Sequence, residues 1–190
     1  MDDIQYELVQ FGERSPKKRD VVFVWIYAKN CSSYDGYPYN DIPVTSLVLG
    51  QLRWDGSIGA VGGGVDKGEE LVEAAIRECI EEIAFAPEAD KLQELCTRRN
   101  PKSNVHIHTW GYEVSYEELK HIRNNASTAE HFNAECGGVF LMHTCRYKSS
   151  SGKEVGWNIL QQHVFVGTAK MDLQLLVEKN DLIVDYFNAK

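Results

Sequence analysis

Residues 63–85 read GGVDKGEELVEAAIRECIEEIAF, a glycine turn running into a segment crowded with glutamates. From Lys67 to Phe85 the apolar positions Leu71, Ala74, Ala75, Cys79 and Ile83 recur at three- and four-residue steps. That spacing predicts a helix with one buried stripe, and Pro87 limits how far it continues. A helix turns about 100° per residue, so Glu78 and Glu82 share a face, about 5.4 Å apart along the axis. Glu81 lies one step round and still reaches the side of Glu78. Three carboxylates this close repel one another unless cations lie between them. Mg²⁺ is a hard ion that takes such oxygen ligands while keeping several waters, and Mn²⁺ suits the same donors. Ions held this way bridge a diphosphate, neutralise it and activate a water. The glycines suit the same chemistry, because bare backbone turns tightly and approaches a phosphate or metal closely. The Gly62 carbonyl is the natural further ligand. Glu69 and Arg77 face each other across the segment, as an ion pair that locks the loop to the helix.

Outward from this segment, strands alternate with helices. Val21–Ala28 is a β-branched and aromatic run of the kind buried on both faces. Asn30–Pro43 is rich in turn residues. Val44–Trp54 reads as a second strand, ended by the turn pair Asp55-Gly56, and Ser57–Val61 as a short extended piece. Val105–Val114 alternates as a strand, Ser115 with Glu118 opens a helix, and Glu135–Met142 is another apolar strand. Helices are expected over Ile159–Val166 and Met171–Phe187. The result is an α/β fold with layered helices and strands.

Bulk properties narrow the partners. At 190 residues, 43% hydrophobic and 25% charged, the chain suits one globular domain. No apolar run approaches the roughly 20 residues of a membrane-spanning helix, and Met1–Gly12 carries acids where a secretory signal has an apolar core. Five cysteines without C-x-x-C spacing fit a reducing compartment, the cytoplasm or nucleus. A net charge of -8 disfavours a general nucleic-acid binder and favours a small substrate or a grip on one RNA end. His106 and His108 share a strand face, but no third ligand stands nearby, so they read as a polar sheet face or pocket lining. Lys17-Lys18-Arg19 reads as a solvated loop, and Arg98, Arg99 and Lys102 as a basic patch able to guide a phosphate tail.

The decisive segment resembles the nudix box, G-x5-E-x7-R-E-U-x-E-E-x-G-U with U aliphatic: Gly63, Glu69, Arg77, Glu78, Glu81 and Glu82 fall in register. Six matches at ordinary residue usage occur by chance roughly once in ten million windows. Cys79 replaces an aliphatic, a mild change for a small apolar side chain. Ala84 replaces the last glycine and predicts a different helix exit. A bare glutamate run would read as a solvated helix face; this spacing does not.

Further residues resemble one nudix subfamily, the small nucleolar RNA decapping enzymes that also act as inosine diphosphatases: Gln51-Leu52-Arg53-Trp54-Asp55-Gly56 before the glycines, Tyr116–Leu119, Glu135, and Phe165-Val166-Gly167-Thr168-Ala169. The resemblance implies a nudix α/β/α sandwich around a mixed sheet, often a homodimer. It implies a metal-dependent hydrolase cutting a phosphoanhydride in a nucleoside diphosphate or an RNA cap. Glu78, Glu81, Glu82 and Glu135 would be catalytic and, with Gly62, hold the metal, Glu81 or Glu135 acting as base. Arg53 would contact the nucleotide; from the residues alone, Phe23 and Trp54 are able to sandwich a base, with core packing as the plainer alternative. Phe23 stands where the family has a histidine and Ala60 where it has a phenylalanine, so the base site is reshaped. An ADP-ribose or dinucleotide pyrophosphohydrolase is the alternative within this class. From another class, a non-catalytic RNA-binding module on the same fold typically loses box carboxylates, and here all are retained.

Overall fold

Alternating β-branched and aromatic residues build the central strand of the computed structural model, which describes residues 5–32, 44–149 and 151–186. This strand, β2 (Asp20–Ser32), follows a short β1 (Glu7–Val9) and precedes β3 (Val44–Arg53) and β4 (Ile58–Gly59). After α1 (Leu71–Ile83) come β5 (Gln93–Arg99), β6 (His106–Glu113), α2 (Tyr116–Asn125), α3 (Phe132–Glu135) and β7 (Cys136–His143). The chain ends in β8 (Cys145–Lys148), β9 (Glu154–Gly156), α4 (Trp157–Leu160), α5 (Ala169–Lys179) and β10 (Val184–Asp185). The main sheet is mixed, in the order β1-β5-β6-β2-β3-β4, with β7 also paired to β3. β2 runs parallel to β6 and antiparallel to β3, while β8, β9 and β10 form a small second sheet.

The period of two along β2 assigns each face its helices. Val22, Val24, Ile26 and Ala28 pack with Ala74, Ala75, Cys79 and Ile83 of α1 and with Leu119 and Ile122 of α2. Trp25 and Tyr27 point the other way, against Leu173, Leu176 and Val177 of α5. The expected sandwich is therefore formed, helices covering both faces of a mixed sheet. Among the described residues no helix is long and apolar enough to cross a membrane.

Several boundaries differ from the sequence reading. β2 continues through Asn30 to Ser32 across a bulge in its pairing with β3, and Asn30 takes φ 50° there. Residues 33–43, the rest of the predicted turn region, lie outside the described residues. The helix expected over Ile159–Val166 is a single turn, α4, and Val166 instead bonds β4 through its N–H to Ile58 O at 3.0 Å. The last helix starts earlier and stops at Lys179, because Asp181 turns left-handed (φ 51°) and Val184–Asp185 pairs with β8. β5 was not expected: its sequence QELCTRR is mostly polar, and its burial comes from pairing between β1 and β6.

Candidate active site

The glycine turn is laid beside β2 by backbone bonds: Val24 N–H to Val61 O at 2.8 Å and Val22 N–H to Gly63 O at 2.9 Å. The Gly62 carbonyl, between them, is not one of the groups that bond β2. Only glycine fits at 62, where φ is 145° and an added Cβ would stand 2.0 Å from Val22 O. At Gly63 the limit is different, since a Cβ there would lie 2.8 Å from both oxygens of the Glu78 carboxylate. The first glycine of the motif is thus the seat of its first helix glutamate.

Helix α1 presents the acids in two environments. Glu82 is only 2% exposed, and its Oε2 accepts from Gly62 N–H at 2.9 Å and from the Gln51 amide at 3.0 Å. Burial, reinforced by the charges of Glu78 and Glu135 and opposed by those two hydrogen bonds, pushes its carboxyl up to about 7. Glu78 is also buried, and burial raises it too, against the pull of Arg77. Glu135 ends α3 exposed to solvent, and its charge contributes in small part to raising Glu78 and Glu82.

Arg77 ties the outer edge together. Its Nε and Nη2 grip both oxygens of Glu69 at 2.8 and 3.1 Å, and Nη2 also donates to Gly64 O at 2.8 Å. Nη1 donates to Glu78 at 2.8 Å and to Glu81 at 2.9 Å. Bidentate, charge-assisted bonding of this kind fixes geometry as well as charge, and it lowers Glu69 below the usual carboxylate range. The bracing pair is therefore present, and it also bridges two acids of the cluster. Glu81 further approaches His131 Nδ1 at 3.5 Å, while its carbonyl accepts from His131 N–H at 2.8 Å.

The helix exit corrects one expectation. Ala84 takes the left-handed conformation a glycine would take (φ 53°, ψ 37°), with its N–H on Ile80 O at 3.1 Å and Phe85 N–H on Cys79 O at 3.3 Å. The exit is unchanged and the alanine bears the strain.

The remaining predicted residues separate. Arg53 sits at the end of β3 with its stem against Gly59, and its buried Nε has no hydrogen-bond partner among the described residues. Trp54 is 67% exposed; its indole N–H donates to Asn133 O at 3.2 Å and its ring rests on Gly137. Phe23 lies elsewhere, against Gly62 and in the wall of a cavity of about 150 Å³ on the α5 side. Phe23 and Trp54 thus occupy different surroundings rather than two sides of one slot. His106 and His108 are buried and hydrogen-bonded internally, His108 between Thr97 Oγ1 and Asp20 Oδ1, each at 3.0 Å. Arg98 does not belong to a surface patch: it is buried and paired with Asp172 at 2.5 Å, while Arg99 pairs with Glu7.

Two contributors carried no role in the sequence reading. Gln51 holds Glu82; in the sequence it stands only as the first residue of the Gln51–Gly56 match, without a role of its own. Asp172 lines the cavity, a buried acid in the apolar face of α5.

Among the described residues no three metal-ligating side chains have closed on a common point. The donor set nonetheless fits a divalent cation. It consists of hard oxygens, Gly62 N–H bonds one of the acids and Gly63 leaves the space that another occupies, and burial, with a smaller contribution from neighbouring carboxylates, raises Glu78 and Glu82 toward protonation.

A family model described as U8 snoRNA-decapping enzyme-like (Nudt16-like) matches residues 20–183. A U8 snoRNA-decapping enzyme of Homalodisca vitripennis is 31% identical over 120 residues, 62% of this chain and 62% of the relative, so the match spans less than two thirds of that protein's length. Among solved structures, a mutT/nudix family protein from Listeria innocua superposes with a TM-score of 0.55 at 14% identity, covering 88% of this chain and 97% of that one. The NUDIX domain of Shewanella oneidensis NrtR, solved with ADP ribose, gives a TM-score of 0.54 at 17% identity, over 87% and 92% of the two chains. At these identities the structural likenesses speak for the fold.

Proposed function

Because this chain belongs to the U8 snoRNA-decapping enzyme-like family of nudix hydrolases, we propose that it is a divalent-metal-dependent hydrolase of phosphoanhydrides in nucleoside-diphosphate-linked substrates, purine nucleoside diphosphates and the 5′ cap of RNA. The observation that carries this reading is the buried Glu82 carboxyl, held by Gly62 and Gln51 within reach of the charges of Glu78 and Glu135. A buried acid among acids has no structural benefit until a cation joins it.

Glu78, Glu82, Glu81, Glu135 and the Gly62 carbonyl would hold Mg²⁺, with Mn²⁺ as substitute. When bound there, the metal neutralises the diphosphate and acidifies the attacking water. The chain's own groups do the rest. Gln51 and Gly62 aim the Glu82 carboxylate, and Arg77 aims Glu78 and Glu81 while relieving their repulsion. Glu81 or Glu135 takes the proton of the attacking water. Arg53, with its unpartnered buried Nε, grips the substrate's phosphate. The base enters the cavity walled by Phe23, Trp25, Ala60 and Val166, whose Phe23 abuts Gly62. Trp54 offers an exposed ring to a second base, as a cap or dinucleotide carries. The protein works as a homodimer in the cytoplasm or nucleus.

The test is a substrate panel with Mg²⁺ or Mn²⁺: inosine and guanosine di- and triphosphates, ADP-ribose, dinucleotides and capped RNA, with products identified. Release of monophosphate from the diphosphates and capped RNA, abolished by chelator and by Glu82→Gln, is the expected outcome. Turnover of ADP-ribose or dinucleotides alone would replace this substrate assignment, and no turnover of any member would end it.

A further inference from the structure

Asp172 sits in the first turn of α5 and lines the cavity, yet it is only 1% exposed. Its Oδ1 accepts from Arg98 Nε at 2.5 Å and from Cys96 Sγ at 3.2 Å. Its Oδ2 accepts from Thr168 Oγ1 at 2.6 Å and from Thr109 Oγ1 at 3.2 Å. An ionised carboxylate offers about four lone-pair positions, so its acceptor capacity is taken up inside the protein. The Arg98 guanidinium also balances its charge. The charged group nearest a ligand in this cavity is therefore already spent. The rest of the wall is largely carbon, from Val21, Phe23, Trp25, Ala60, Ile107 and Val166.

Such a wall has consequences for recognition. A site that hydrogen-bonds a base edge rejects an analogue lacking that edge by roughly 10⁴–10⁵, because its own buried polar groups are left unpaired. Apart from the buried Trp25 Nε1, such a wall has no group to strand, and a hydrophobic pocket separates isosteres that differ by a polar group by only about a hundredfold. Resting on the hydrolase reading above, we infer that this cavity selects its base by shape, and that Asp172 is a scaffold for the cavity floor rather than a reader of the base. Purine nucleoside diphosphates that differ only in their edge groups are then handled alike: inosine, guanosine and adenosine diphosphates fall within a hundredfold of one another.

Two measurements test this. The first is kcat/KM for the three purine diphosphates on the wild-type chain and on Asp172→Asn. The expected result is a spread within a hundredfold, and ratios among the three that change less than threefold in the variant even if all three rates fall together. A wild-type spread above a hundredfold, or a variant that reorders the three substrates, overturns the inference. Should Asp172→Asn not fold, the paired swap R98M with D172L, which replaces the ion pair by apolar side chains, takes its place under the same criterion. The second is equilibrium dialysis of the same diphosphates without metal, which reports the cavity independently of turnover. Binding within a hundredfold spread but without any hydrolysis would leave the cavity inference standing and bring down the hydrolase reading. A wider spread, or no binding of any of the three, brings down the cavity inference whatever the turnover.

Discussion

Replacing Glu82 with glutamine separates what the carboxylate does for the fold from what it does for chemistry. In the metal-free protein Glu82 is pushed up to about 7 from an ordinary 4.5, mainly by burial. The folded state therefore binds this proton more tightly than the unfolded chain. Stability from this group is complete below about pH 4.5 and is lost as pH rises through 7. The shift corresponds to about 3 kcal/mol above pH 7. Glutamine never ionises, and its side-chain carbonyl can still accept from Gly62 N–H and the Gln51 amide. Urea unfolding in chelator should therefore find E82Q about 1 kcal/mol more stable than wild type at pH 5 and about 3 kcal/mol more stable at pH 8. Turnover should fall by orders of magnitude in the same protein, and Mg²⁺ should stabilise wild type but not the variant. A stability gap that does not widen with pH, or an E82Q protein less stable than wild type at pH 8, would refute the reasoning.

Other expectations follow from the same geometry. Ala84→Gly removes a left-handed alanine and should add about 1 kcal/mol, seen as a rise in Tm of roughly 2–4 °C; an unchanged or lower Tm would count against the strain. Gly63→Ala would put a methyl 2.8 Å from the Glu78 carboxylate and should cut kcat/KM about a hundredfold, whereas Gly64→Ala, with nothing within 4 Å of its Cβ, should leave it unchanged. Equal effects of the two would contradict the seat assigned to Gly63. Burial lowers His108 below its ordinary 6.5 despite Asp20, so the folded state binds fewer protons and stability is lost as pH falls below 6.5. In an E82Q background, which removes the opposing contribution of Glu82, denaturant unfolding between pH 7 and 5.5 should show that decline. His108→Gln should reduce it, leaving the part owed to His143, which burial also lowers, and a decline of unchanged size in the double variant would assign it elsewhere.

What the sequence carried about this site was local. Glycines and glutamates within one turn-and-helix segment are placed by helical period alone, so Glu78, Glu82 and the Glu69–Arg77 brace could be derived from spacing. The long strand β2 was equally readable, because alternating apolar side chains are buried on both its faces. The polar strand β5 was not, since its burial depends on pairing with β1 and β6, remote in sequence. For the same reason Gln51 and Asp172 had no readable role: one bonds a glutamate 31 positions away, the other an arginine 74 positions away. For Phe23 and Trp54, residue type left a base sandwich and plain packing both open. Phe23 lies in β2 and faces the α5 side, whereas Trp54 sits in the turn after β3, with its indole N–H on Asn133 O of α3 and its ring beside Gly137 of β7. The Ala84 exit is governed by the hydrogen bonds that close α1, which outweigh the preference of alanine.

On the proposed function, the carboxylates around Glu82 would hold a divalent metal. Mn²⁺ titration followed by electron paramagnetic resonance, on wild type and E82Q at pH 7.5, tests it most directly. Wild type should bind Mn²⁺ saturably, in competition with Mg²⁺, and E82Q should bind it with affinity at least tenfold weaker. Equal Mn²⁺ affinity in the two proteins, or no binding to wild type, would contradict it.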